Sequence, residues 1–148
     1  LGLPSRGTSS VLITASEGEA LFVTLLGLDA VPDGTVRGTV PDEHRALLAW
    51  TGVTVLNPEA GEAAASTSSP RVTVIGATLF GADSLLLDSS EIIVGSLDGL
   101  DGMAPFTLGF VAGESAIISK ITKWKQASSI CSPAPSQRAA LWALGERS

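Results

Sequence analysis

The sequence predicts an all-β fold, an antiparallel sandwich or barrel with a short C-terminal helix, and three observations predict it. Short β-branched or Leu-rich runs recur along the chain, among them Val11–Ala15, Thr51–Leu56 and Phe106–Val111. Clusters of Gly, Pro, Asp and Ser separate them at intervals of roughly 8–14 residues, the rhythm of a sandwich. Thr35–Val40 also alternates, with Val36, Gly38 and Val40 on one face and Thr35, Arg37 and Thr39 on the other. That is a strand with one wet face.

Residues 1–10 are small, polar and Pro/Gly-bearing, and read as an N-terminal arm. Val11–Ala15 and Ala20–Leu26 are strands separated by the turn signal Ser16-Glu17-Gly18-Glu19. Pro32-Asp33-Gly34 is a further turn. Pro41-Asp42-Glu43-His44-Arg45 can open a helical turn, because Pro suits the first position and acids suit the first turn. Ala46–Trp50 is ambiguous, and Thr51–Leu56 is a strand stopped by Asn57-Pro58. Residues 59–70 are low-complexity and read as a long exposed loop.

Strands resume with Arg71–Phe80, Asp83–Asp88 and Glu91–Leu97, and Asp98-Gly99-Leu100-Asp101-Gly102 is a double turn. Ser115–Lys125 carries Ile117, Ile118, Ile121 and Trp124 on one helical stripe, yet three isoleucines and Thr122 favour a strand. The surrounding strand-turn rhythm decides for the strand. Ser136–Leu144 is the best helix, with Ser136 as N-cap and Gly145 as the stop. The organisation is thus an arm over 1–10, a β-domain over 11–125, and a linker with its helix over 126–148.

Composition limits function. The chain has 148 residues, 45% hydrophobic and only 16% charged, with a net charge of −6. Its mean hydropathy is +0.37. So little polar surface points to burial against another subunit, and the chain is expected to form a homo-oligomer. No apolar stretch is long enough to span a bilayer. The acidic balance argues against nucleic acid as a partner. Residues 1–113 carry a net −9 and residues 114–148 a net +3. The chain opens Leu1-Gly2-Leu3-Pro4 without Met, which is expected of a processed product or part of something longer.

Catalytic inventory is thin. One His, one Cys and no Tyr are present. Ser115 lies in Gly113-Glu114-Ser115-Ala116-Ile117, which is not a nucleophile elbow. His44, flanked by Asp42, Glu43 and Arg45, reads as a surface residue at a turn, and Cys131 as an incidental thiol. Asp83, Asp88, Glu91, Asp98 and Asp101 offer no spacing that selects a carboxylate pair. The Asp98–Gly102 oxygens lack the EF-hand pattern, and Gly-rich phosphate cradles are absent. No catalytic, cofactor-binding or metal-binding residue is expected, and the chain is read as not an enzyme. Lys120, Lys123 and Lys125 around Trp124 form a possible basic contact, read first as protection of a strand edge. Leu141, Trp142 and Leu144 are a possible subunit contact.

Residues 43–76 carry a resemblance. Glu43–Pro58, the small-residue loop Ala63–Ser69 and the strand Arg71–Gly76 resemble the middle of the jelly-roll coat proteins of small icosahedral RNA viruses. There a basic residue leads into alternating valines, a Ser/Thr-rich loop follows, and a Gly/Val strand comes next. The resemblance implies a jelly-roll-like β-sandwich that self-assembles as a coat or capsid-decoration component, located in the virion. The chain departs from that family in lacking an Arg-rich arm and in its acidic body. The alternative function is a non-catalytic β-sandwich binding module for a glycan, protein or small ligand.

Overall fold

The computed structural model describes residues 9–28, 35–37, 40–56, 72–74, 92–103 and 105–145. The expected turn at Pro32-Asp33-Gly34, the loop over 59–70 and the strand Asp83–Asp88 lie outside them. The fold is mixed α/β, which overturns the all-β sandwich. In chain order the elements are β1 (Ser9–Thr14), α1 (Glu17–Gly27), β2 (Thr35–Arg37) and a 3-10 turn (Asp42–His44). Next come α2 (Arg45–Thr51), β3 (Thr54–Leu56), β4 (Val72–Val74), β5 (Ile92–Ser96) and β6 (Gly109–Glu114). Helices α3 (Ser115–Ser128) and α4 (Ala134–Gly145) complete the chain.

Two helices stand where the sequence suggested strands. Ser16-Glu17-Gly18-Glu19 is the N-terminus of α1: Ser16 Oγ accepts the Glu19 N–H at 3.1 Å, and Glu19 Oε2 accepts the Ala15 N–H at 2.5 Å. This resembles a capping box, with Ser16 satisfying an open helix donor and Glu19 reaching back to the residue before the cap rather than to the cap itself. The apolar run behind it has no periodicity because α1 is buried nearly all round: Ala20, Leu21, Val23 and Leu25 are inaccessible to solvent. Each of the larger three contributes about 1.5–3 kcal/mol by leaving water. Over Ser115–Lys125 the helical stripe wins, because Ile118, Ile121 and Lys125 all turn inward. Packing against α1 outweighs the β propensity of the isoleucines. Residues 46–50 are helical, and α2 ends at Gly52, whose φ of 71° is the left-handed stop. That stop delays the expected Thr51–Leu56 strand to β3.

The main sheet has the order β1-β6-β5-β4. Strand β6 is antiparallel to both β1 and β5, while β4 is parallel to β5. Strands β1, β5 and β4 therefore run one way, and Thr14, Gly109 and Ser96 lie side by side at their carboxyl edge. A separate parallel pair joins β2 to β3.

Both faces of the main sheet are covered. Ile92, Val94 and Val111 join Leu21, Val23, Leu25, Ile118 and Ile121 in a core with α1 and α3. Ile93, Phe110 and Ala112 pack with Leu97, Leu100, Met103, Leu108, Ala140 and Ala143 in a second core under α4. Every residue of β5 is buried, as in sheets sandwiched between helices. Helices do the covering that a second sheet was expected to do. Among the described residues no helix is long and apolar enough to cross a membrane.

Candidate functional site

The carboxyl edge of the sheet carries a set of polar side chains tied to one another and to the backbone. Strand β1 passes into α1 through Ala15 and Ser16, and Thr14 Oγ1 donates to the Ser16 carbonyl at 2.9 Å. Gly109 packs directly on that turn, where a Cβ would overlap the Ser16 carbonyl and stand 2.6 Å from Thr14 Oγ1. Only a glycine lets the start of β6 approach the β1–α1 turn so closely. In the turn after the neighbouring strand β5, Asp98 accepts the Leu108 N–H at 2.9 Å, and its own N–H donates to Ser96 Oγ at 3.0 Å. The double turn after β5 is thus tied back to the sheet.

Glu17 is the first helical residue of α1, and its carboxylate meets a residue distant in sequence. His44 Nε2 lies 2.7 Å from Glu17 Oε1, with the two side chains only 12% and 9% exposed. Glu43 Oε1 stands 3.9 Å from the same nitrogen and is itself 75% exposed. The three donor atoms all fall within 4.8 Å of one another. Gly18 lies beside the ring, where a Cβ would make ordinary contact with His44 Cε1 at 3.9 Å. The 3-10 turn presents the ring: His44 N–H donates to the Pro41 carbonyl at 3.0 Å, and Arg45 holds Asp42 at 2.6 Å. Glu19, two residues further on, also accepts from Ser129 Oγ and so ties α1 to the end of α3.

A buried carboxylate against an imidazole nitrogen fixes the orientation of the ring, which is the arrangement of a proton-handling pair. Sequence reading placed His44 at a surface turn and passed over Glu17. The signal available was Ser-x-x-Glu ahead of an apolar run, which marks a helix start and brings Glu17 inward.

The expected contact residues lie elsewhere. Lys120 and Lys123 are exposed on α3, whereas Lys125 is 4% exposed and donates to the Ile130 carbonyl at 3.1 Å. They do not form one basic patch, and they guard no strand edge, because they sit on a helix. Leu141, Trp142 and Leu144 are exposed on α4.

No family model and no curated protein sequence matches the chain. Solved structures do match. Aspartate aminotransferase from Thermotoga maritima superposes with a TM-score of 0.68 at 15% identity, over 91% of this chain and 50% of that one. The fold resembles that of the aminotransferases. The Escherichia coli methionine aminotransferase YbdL gives 0.65 at 17% identity, over 93% and 50%. A methionine gamma lyase from Micromonospora echinospora gives 0.64 at 18% identity, over 90% and 47%. The chain spans about half the length of these structures.

These likenesses overturn the resemblance to viral jelly-roll coat proteins, which rested on one strand-loop-strand stretch. The coat or decoration role, the virion location and the reading as not an enzyme fall with it. The alternative of a β-sandwich binding module fails too, because among the described residues helices, not a second sheet, pack on both faces of the main sheet.

Proposed function

We propose that the chain forms the core of an enzyme of the aminotransferase fold class, moving a proton on a small 2-oxo acid at the carboxyl edge of the sheet. The observation that carries this is the 2.7 Å contact between Glu17 Oε1 and His44 Nε2 at the start of α1. Open α/β sheets place ligands at the carboxyl ends of their strands, where this pair lies. Glu17 orients the imidazole through Nε2, and Nδ1 has no hydrogen-bond partner among the described residues. Nδ1 is then the atom that takes the proton from the carbon beside the substrate's carbonyl. The carbonyl itself receives the electron pair as an enolate, and the proton returns to carbon in the reverse step. The names of two fold neighbours, an aspartate and a methionine aminotransferase, support the oxo acids of amino acids as the substrate class. Self-association belongs to the same proposal, on the strength of the apolar side chains exposed on α4.

The test is deuterium incorporation at C3 of pyruvate, oxaloacetate and the oxo acid of methionine, followed by proton NMR in D2O. The expected result is exchange above buffer for at least one acid, reduced about 10²–10⁴-fold by His44→Ala. Exchange at the buffer rate for all three acids overturns the proposal.

A further inference from the structure

Transfer of an amino group is chemistry supplied by pyridoxal phosphate, an aldehyde that enzymes hold as an imine on a lysine amine. Its phosphate is the kind of dianion that a helix N-terminus accepts. The residues of this chain meet neither requirement. Lysine occurs at three positions only, Lys120, Lys123 and Lys125, and all three fall on α3. None precedes residue 120, so β1, β4 and β5, the stretches of sequence that follow them, and α1 all lack a lysine amine.

Helix α3 runs antiparallel to α1, with Ile121 against Gly27 at one end and Ser129 bonded to Glu19 at the other. This brings Lys125 closest to the start of α1. Its ammonium, however, is turned to the Ile130 carbonyl at 3.1 Å, and its side chain is packed out of solvent. Lys120 and Lys123 are exposed on the helix surface.

The anion site fails on charge. The first turn of α1 carries Glu17 and Glu19, and Ser16 Oγ already takes the Glu19 N–H. Two carboxylates in that turn satisfy the helix dipole and repel a phosphate dianion. We infer that this chain neither tethers pyridoxal phosphate as an imine nor anchors its phosphate on α1. The lysine amine that the group requires is missing from the sequence before residue 120, and the first turn of α1 carries carboxylates where the phosphate would need positive charge.

The experiment incubates the purified chain with pyridoxal phosphate, reduces any imine with borohydride, and reads the adduct by intact mass and peptide mapping. The expected result is sub-stoichiometric labelling spread over Lys120 and Lys123, unchanged in K125R and with no saturation. Pyridoxal without its phosphate is expected to label to the same extent, within about twofold, because no phosphate site selects between them. A single adduct per chain at Lys125 overturns the first half of the inference. Saturable preference for the phosphorylated aldehyde that survives in K125R and is lost on Ser16→Pro overturns the second. The readout is mass rather than turnover, so it stands apart from the outcome of the deuterium-exchange test.

Discussion

Gly27, in the last turn of α1, lies so close to Ile121 of α3 that a Cβ at 27 would stand 2.7 Å from Ile121 Cγ1 and 2.9 Å from its Cα. The second distance involves backbone, so rotating a side chain does not relieve it. Gly27→Ala should therefore push the two helices apart and lower stability by about 1–3 kcal/mol, the usual cost of overpacking. Urea unfolding of the two proteins measures this. An unchanged midpoint would mean that α1 and α3 do not meet at this register.

Ser16 caps α1 through the Glu19 N–H. Removing the hydroxyl in Ser16→Ala should cost about 1 kcal/mol, and Ser16→Asp should restore most of it. Thermal unfolding of both variants separates a lost cap from a general disturbance of the turn, since only the first is rescued by Asp.

Much of the fold was legible one element at a time, and the failures share a cause. The strands near Val11 and Ile92, the double turn at 98–102 and a helix over 136–144 carry local signals strong enough to survive, whereas the strand expected from Phe106 starts at Gly109 and Ser136 lies inside α4 rather than capping it. Ala20–Leu26 and Ser115–Lys125 did not survive as strands, because a helix buried on most sides loses its amphipathic period and an isoleucine-rich helix mimics a strand. Two misread helices turned a layered α/β fold into a sandwich. The site failed for another reason. Glu17 and His44 are 27 positions apart, and only the packing of the 3-10 turn on α1 brings them together.

That pairing makes a separate prediction. His44→Leu leaves the Glu17 carboxylate buried without its partner, and should destabilise the fold by about 1–3 kcal/mol. Glu17→Leu/His44→Leu removes both polar groups and should recover at least half of that loss. A double-mutant cycle in urea gives the coupling directly. Additive losses would show that the two side chains do not interact.

Trp142 gives the prediction that concerns assembly. Its side chain is 61% exposed and Leu141 beside it 72%, while a Cβ at Gly102 would stand 3.0 Å from Trp142 Cζ3. The indole therefore leans on the 98–102 turn and leaves most of its surface to water. Burying two such side chains between subunits contributes several kcal/mol, about 25 cal/mol per Å² of apolar area. Light scattering should give a mass above 15.0 kDa that rises with concentration. Changing both residues to Ser should bring it down without loss of helicity, because neither side chain fills the core under α4. A mass of 15.0 kDa at every concentration would leave the α4 face as plain solvent-exposed surface in this chain.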